Sequence, residues 1–287
     1  MLVDFHVHST ASDGTDSPTE IAAKTAPFAI AALTDHDNCD GVGEFLAAAE
    51  GPALRVAGAE LSIEPGAAFD RFHMLCLGVD PENAAFKTLL AKILEGRNAR
   101  NARIFENFAR MGIEIPQDEI AAYAKGDILA RPHFARWLFD HGYAPGLKSA
   151  FQTYLAPDSP PETRAYEERW HPTQEEAFAA VHAAGGIAVM AHPKFWCVSW
   201  KHGGCDFAKA ERELWRLKEA GLDGLEAIYQ ANSPGENFVF NDIATRIGFL
   251  KTAGSDYHGG NKPNIPIGMD VEEAFIAPVV ERLKQRA

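Results

Sequence analysis

Short apolar runs alternate with helical patterns over the first quarter of the chain. Leu2-Val3-Asp4-Phe5 reads as a buried strand, and Ser12 to Asp16 as a polar turn. Ser17-Pro18-Thr19-Glu20 then forms a capping box with proline at the first helical position, which predicts a helix start. Ala29 to Leu33 is a second strand and a helix is expected near 41–50. A third strand runs from Leu54 to Glu60, and a fourth from Phe72 to Leu77. This alternation predicts a parallel α/β arrangement.

The rhythm changes after Asp80-Pro81, an N-cap and first helical position. A long helical pattern reaches about Met111 with Gly96 inside it, and further helices are expected near 117–124, 131–141 and 145–154. Arg97, Arg100 and Arg103 recur at i, i+3 and i+6, which reads as a solvated helical face. Strand signals are lacking until Pro157, Pro160 and Pro161 mark a return linker. Residues 81–166 are therefore expected to be a helical insertion in a barrel formed by 1–80 and 167–287. Beyond Thr173 the strands 187–191, 224–228 and 249–253 alternate with helices 173–184, 207–220 and 234–247, for seven strands in all.

The chemistry gathers where these strands end. His6 and His8 are two apart, so an extended chain puts both imidazoles on one side. Asp13, His36, Glu60, His73, His192, Asp256 and His258 fall at or beside other strand ends, the edge where α/β barrels build active sites. A lone histidine in a strand is more often a core or surface residue; it is the set that points to metal. Nine nitrogen and carboxylate ligands exceed what one cation takes, so two or three divalent metals are expected. Glu60 or Asp256 is the natural bridge. The donor set suits Mn²⁺, Zn²⁺ or Fe²⁺ better than Ca²⁺.

Composition narrows the partners. Of the 287 residues, 46% are hydrophobic and 23% charged, ordinary for a globular chain, and the net charge is −13. Such an acidic chain is not expected to hold long duplex nucleic acid, although a small anion remains compatible if metals and a few arginines reverse the local field. The apolar runs are too short to span a bilayer, and no secretory signal is visible. Cys39, Cys76, Cys197 and Cys205 show no C-x-x-C spacing, so free thiols and a cytoplasmic location are expected.

His6-Val7-His8-Ser9 with Asp13-Gly14, Thr34-Asp35-His36-Asp37, Gly58-Ala59-Glu60, Ala191-His192-Pro193 and Gly254-Ser255-Asp256-Tyr257-His258 resemble, in order, the motifs of the PHP (polymerase and histidinol phosphatase) family. The resemblance implies a distorted (β/α)₇ barrel, a trinuclear metal centre with Mn²⁺ favoured, and phosphoesterase activity. By motif, His6, His8, Glu60 and Asp256 would hold one metal; Glu60, His73 and His192 a second; Asp13, His36 and His258 a third. Leu129 to Ala135, with Arg131-Pro132-His133, resembles a branch similar to nucleoside 3′,5′-bisphosphate phosphatases and 5′→3′ exoribonucleases of short RNA. The expected reaction removes the 3′-phosphate of adenosine 3′,5′-bisphosphate by attack of a metal-bridging hydroxide, with short 5′-phosphorylated RNA as a further substrate. Arg131 would fork onto a phosphate, and His133 or His202 would serve the leaving oxygen. Lys194, His202 and Lys262 follow ligand motifs closely enough to reach substrate. His141, His171 and His182 are given no role. Two other readings are a phosphatase for another small monoester, such as histidinol phosphate, and a metal-binding module without turnover that serves a polymerase or an operon.

Overall fold

The computed structural model describes residues 1–64, 71–124, 128–199 and 204–285. Its framework is one curved sheet of strands β1 (Leu2–Val7), β2 (Ile30–Leu33), β3 (Leu54–Ile63), β4 (Phe72–Leu77), β5 (Ile187–Met190), β8 (Gly224–Tyr229), β9 (Leu250–Gly254) and the short β10 (Met269–Asp270). They lie in the order β10-β1-β2-β3-β4-β5-β8-β9. The strand ends close the ring, because Asp256 N donates to His6 O and His8 N to Tyr257 O, both at 2.9 Å. The result is the distorted seven-strand barrel with short β10 paired antiparallel to β1.

The wholly parallel arrangement needs correction. β4 is antiparallel to both β3 and β5. His73 therefore sits at the amino end of its strand, yet it reaches the same rim as the ligands at carboxyl ends. Only residues 64–71 join β3 to β4, too few for the long crossover that a parallel pair needs.

Helices α1 (Pro18–Lys24) and α2 (Val42–Ala47) cover the β1–β2 side, where Ile21, Ala22 and Phe45 pack on Val7, Ala31 and Leu33. Val3 and Phe5 instead join a different apolar cluster with Leu75 and Val189. The register irregularity in β1 between Asp4 and Val7 accounts for this switch, and it turns His6 and His8 inward as Val7 turns out. Helices α7 (Gln174–Ala183), α9 (Phe207–Ala220) and α10 (Pro234–Ile247) cover the far side, and α11 (Glu273–Lys284) packs across the apolar cluster that holds Val3 and Phe5. The capping boxes at Ser17–Glu20, Thr173–Glu176 and Ser233–Glu236 are all formed.

The segment between β4 and β5 is helical: α3 (Ala84–Arg110), α4 (Gln117–Ala121), α5 (Arg131–Asp140) and α6 (Leu147–Ala150), which runs on into a π turn, Phe151–Leu155. Asn83 caps α3 by accepting from Ala85 N and Phe86 N, so the helix starts after the expected Asp80-Pro81. The segment has its own core around Ile104, Phe108, Phe134, Trp137 and Leu155. Gly96 has a local reason: a Cβ there would lie 3.2 Å from Trp170 Cβ, where the returning chain crosses α3.

After β5, α8 (Pro193–Cys197) leads into the hairpin β6 (Val198–Ser199) and β7 (Gly204–Cys205). Here the expectation of four free thiols fails. Cys197 and Cys205 form a disulfide because the hairpin brings their Cα atoms to 5.0 Å, whereas Cys39 and Cys76 are free. Among the described residues no helix is long and apolar enough to cross a membrane.

Candidate metal centre and flanking pockets

Glu60 is the hub of the rim. It is fully buried, and its Oε1 lies 3.0 Å from His73 Nδ1, 3.0 Å from His192 Nε2 and 3.3 Å from His6 Nε2. Its Oε2 is 2.9 Å from His36 Nδ1 and 3.3 Å from His8 Nε2. Asp256 Oδ1 stands 3.4 Å from His8 Nε2 and 3.6 Å from His6 Nε2, while Asp13 Oδ1 is 3.2 Å from His258 Nε2. All nine rim residues predicted as ligands thus converge. Their donor atoms form overlapping groups: His8, Asp13, His36 and His258; His6, Glu60 and His192; His6, His8 and Asp256; His36, Glu60 and His73.

This arrangement fits cations. The Nε2 atoms of His6 and His8 face each other at 3.0 Å, and Asp13 Oδ1 and Glu60 Oε2 are buried without a hydrogen bond. Such atoms need a partner, and divalent cations would satisfy several together. Without cations the neighbouring carboxylates lift the His8 imidazole to about 9 against the opposing effect of burial, through Asp256 and Glu60. The same field that attracts protons would attract metal.

The rim is held from below by strained strand ends. Asp37, His192 and Asp256 are the non-glycine residues with positive φ among those described, at 58°, 28° and 58°. Strain of this kind persists only where surroundings enforce it, and it gathers at functional sites.

A second cluster, of opposite sign, opens beside the rim. Arg71, Arg97, Arg100, Arg131 and Arg169 line a cavity of about 180 Å³ that also touches Asp13, His36 and His73. Arg97 and Arg100 are buried, which corrects their reading as a solvated face; Arg103 is exposed as expected. Asp37 accepts from Arg97 and, at 2.7 Å, from Arg169 Nη2. Although burial opposes it, these two guanidinium groups hold the Asp37 carboxyl well below its usual range. Arg71 pairs with Glu168 at 2.7 Å. Among the described residues Arg100 has only Asn101 Oδ1 at 3.0 Å, and its Nη2 is buried without a hydrogen bond. Burial, with Arg97, Arg131 and Arg169 adding, pulls its guanidinium down to about 9. Arginine stays charged in proteins, so this crowding is a demand for an anion.

Arg131 opens α5 and borders the same cavity, with its guanidinium 5.3 Å from the centre of the Tyr166 ring and 6.0 Å from that of Phe151. His133 lies two residues on, in the same first turn of α5, and its Nδ1 accepts from Ala130 N at 3.1 Å. That bond selects the tautomer with the proton on Nε2, and burial lowers the pKa, so the ring is a neutral N–H donor. It borders a larger cavity of about 420 Å³ on the other flank of Asp13 and His36, together with Tyr123, Phe151 and Lys262. Lys262 Nζ donates to Asp256 Oδ2 at 2.6 Å. Lys194 turns instead to Glu236, at 2.9 Å. His202 lies outside the described residues. His171, given no role from the sequence, forms part of the arginine-lined wall, while His141 and His182 are bound to Trp137 O and Asp223 away from the rim.

Comparison with known proteins bears on this geometry. The PHP domain model matches residues 4–173. A 3′,5′-nucleoside bisphosphate phosphatase from Chromobacterium violaceum is 32% identical over 273 residues, covering 93% of this chain and 90% of the relative. The 5′-3′ exoribonuclease Rnm of Salmonella typhimurium is 27% identical, over 94% of this chain and 92% of its own length. A structure from Bifidobacterium adolescentis, assigned as a metal-dependent phosphoesterase, superposes with a TM-score of 0.78 at 28% identity, covering 98% of this chain and 96% of that one.

Proposed function

Because the chain belongs to the PHP domain family and is accordingly a metal-dependent phosphoesterase, we propose that it removes the 3′-phosphate from nucleoside 3′,5′-bisphosphates, adenosine 3′,5′-bisphosphate foremost. The observation that carries the reading is Arg100, a buried guanidinium with an unsatisfied N–H beside the metal rim. One phosphate belongs at the rim, and a second belongs against Arg100 and Arg131. A monophosphate leaves that second demand unmet.

In this reading His6, His8, Glu60 and Asp256, then Glu60, His73 and His192, then Asp13, His36 and His258 hold the cations, with Mn²⁺ as the favoured ion. Bound there, cations would supply Lewis-acid charge to phosphoryl oxygens and would lower the pKa of water toward neutrality. The protein's own groups do the rest. Arg131 and Arg100 orient the substrate through the phosphate that is not cleaved, which brings the reacting phosphate into line. His133 donates its Nε2–H toward the leaving ribose oxygen as a neutral group, so it stabilises developing charge there. Lys262 holds Asp256 in place and adds positive charge at the mouth.

Short 5′-phosphorylated RNA is a second reading, favoured by the 420 Å³ cavity on the other flank, which has room for a following nucleotide beside Tyr123 and Phe151. Phosphate release with Mn²⁺ from adenosine 3′,5′-bisphosphate, 3′-AMP, histidinol phosphate and a 5′-phosphorylated tetraribonucleotide tests both. The bisphosphate is expected to give the highest kcat/KM. A preference for histidinol phosphate would overturn the assignment, and a preference for the oligonucleotide would transfer it to the RNA.

A further inference from the structure

Glu226 is a fully buried acid on β8 that is not among the rim ligands. Its Oε1 lies 3.0 Å from His6 Nδ1, and its Oε2 accepts from His192 N at 2.5 Å. One carboxylate therefore touches two candidate ligands, and these belong to different metal positions in the grouping proposed above. Gly254 keeps the space open: a Cβ there would come 2.1 Å from Glu226 Oε1 and 2.5 Å from His6 Cβ.

The two contacts do different work. A histidine that binds a cation through Nε2 carries its proton on Nδ1 and needs an acceptor for it. Glu226 Oε1 is that acceptor for His6. The second contact concerns backbone strain. At the other two positive-φ residues the amide donates to a main-chain carbonyl, Asp37 N to Glu60 O and Asp256 N to His6 O, each at 2.9 Å. At His192, with φ of 28°, the acceptor is the Glu226 side chain.

We infer that Glu226 is a positioning residue that couples two metal positions, fixing the tautomer of His6 and the strained turn that presents His192. The inference rests on the metal centre and not on the choice of substrate. Glu226→Gln is the direct test, because an amide has one oxygen and cannot accept from both donors. Mn²⁺ titration of the metal-stripped protein, with bound metal counted, is expected to show affinity weakened by roughly 10- to 100-fold. In the diamagnetic Zn²⁺-loaded protein, the ring ¹⁵N shifts of His6 are expected to show loss of the pure Nδ1–H form. Wild-type Mn²⁺ affinity and stoichiometry in a folded variant, with His6 still protonated on Nδ1, would overturn the assignment. Glu226→Asp keeps the charge but withdraws it by one methylene, so it supplies the same reading if the Gln variant fails to fold. Unchanged affinity there also overturns it. Neither titration involves substrate, so failure of the bisphosphate reading leaves this result standing.

Discussion

The metal rim and the arginine pocket share Asp13, His36 and His73 as a common wall, but they are built in opposite ways. The rim is made by the barrel: its candidate ligands sit at or beside strand ends, and its unsatisfied atoms among the described residues are carboxylate oxygens and an imidazole nitrogen, a set that suits cations. The pocket is made largely by the inserted helices and the returning chain, with Arg97 and Arg100 from α3, Arg131 from α5, and Arg169 beyond them. Among the described residues, Arg100 presents there a guanidinium N–H that needs an anion. Under the proposed function, these two fields of opposite demand would receive the two phosphates of one substrate, one over bound cations and one against arginine. On that reading, turnover and substrate choice would rest on different residues, so variants can separate them.

The largest effect belongs to the rim. His192→Ala or Asp13→Ala is expected to lower kcat by about a thousandfold on every phosphate ester. Circular dichroism should show the fold intact, because neither side chain is a packed apolar group. A normal rate at unchanged metal content would remove that residue from the centre. Next is the pocket. Arg100→Met should raise KM for adenosine 3′,5′-bisphosphate by roughly 10- to 100-fold, the loss of a charge-assisted hydrogen bond. Hydrolysis of p-nitrophenyl phosphate should stay within about twofold. Arg131→Ala should follow the same pattern. Equal losses on both substrates would show that rim and pocket do not act separately.

A smaller effect is readable in stability. Burial, then Arg169 and Arg71, push the His171 imidazole down to about 3. The unfolded chain therefore binds a proton that the folded chain refuses between about pH 6.5 and 3, and stability falls as pH drops through that window. His171→Gln should flatten the acid side of the Tm profile. Inorganic phosphate in the pocket should flatten it too, by screening the arginines from His171. An identical profile in the variant would mean that His171 is not held neutral by burial and the arginines. The smallest effect expected is that of Lys194→Ala. With its ammonium on Glu236, the variant should keep kcat/KM within about twofold and stability within about 0.5 kcal/mol. A large rise in KM would return Lys194 to the pocket.

Local patterns carried much of this molecule. The i, i+2 spacing of His6 and His8 needs only an extended backbone to put both rings on one side, and capping boxes such as Ser17–Glu20 are complete within four residues. The burial of Arg97 and Arg100 was also written along α3. Phe86, Leu89, Ile93, Arg97, Arg100, Ile104 and Phe108 form one stripe at spacings of three and four, all buried. The arginines occupy core-facing positions, but read alone as basic residues they looked solvated. The hairpin that joins Cys197 to Cys205 had no comparable mark, since a disulfide depends on where a turn returns the chain.

What the chain determined by itself was the set of chemical groups and the type of each element, because capping, periodicity and side-chain identity act over a few residues. Tertiary structure decided the direction of β4, the inward turn of His6 and His8 at the β1 irregularity, the meeting of Arg169 with Arg97 on Asp37, and the two contacts of Glu226. The meetings at Asp37 and Glu226 depend on atoms brought together from distant parts of the chain, whereas the direction of β4 and the β1 irregularity follow from how neighbouring strands pair.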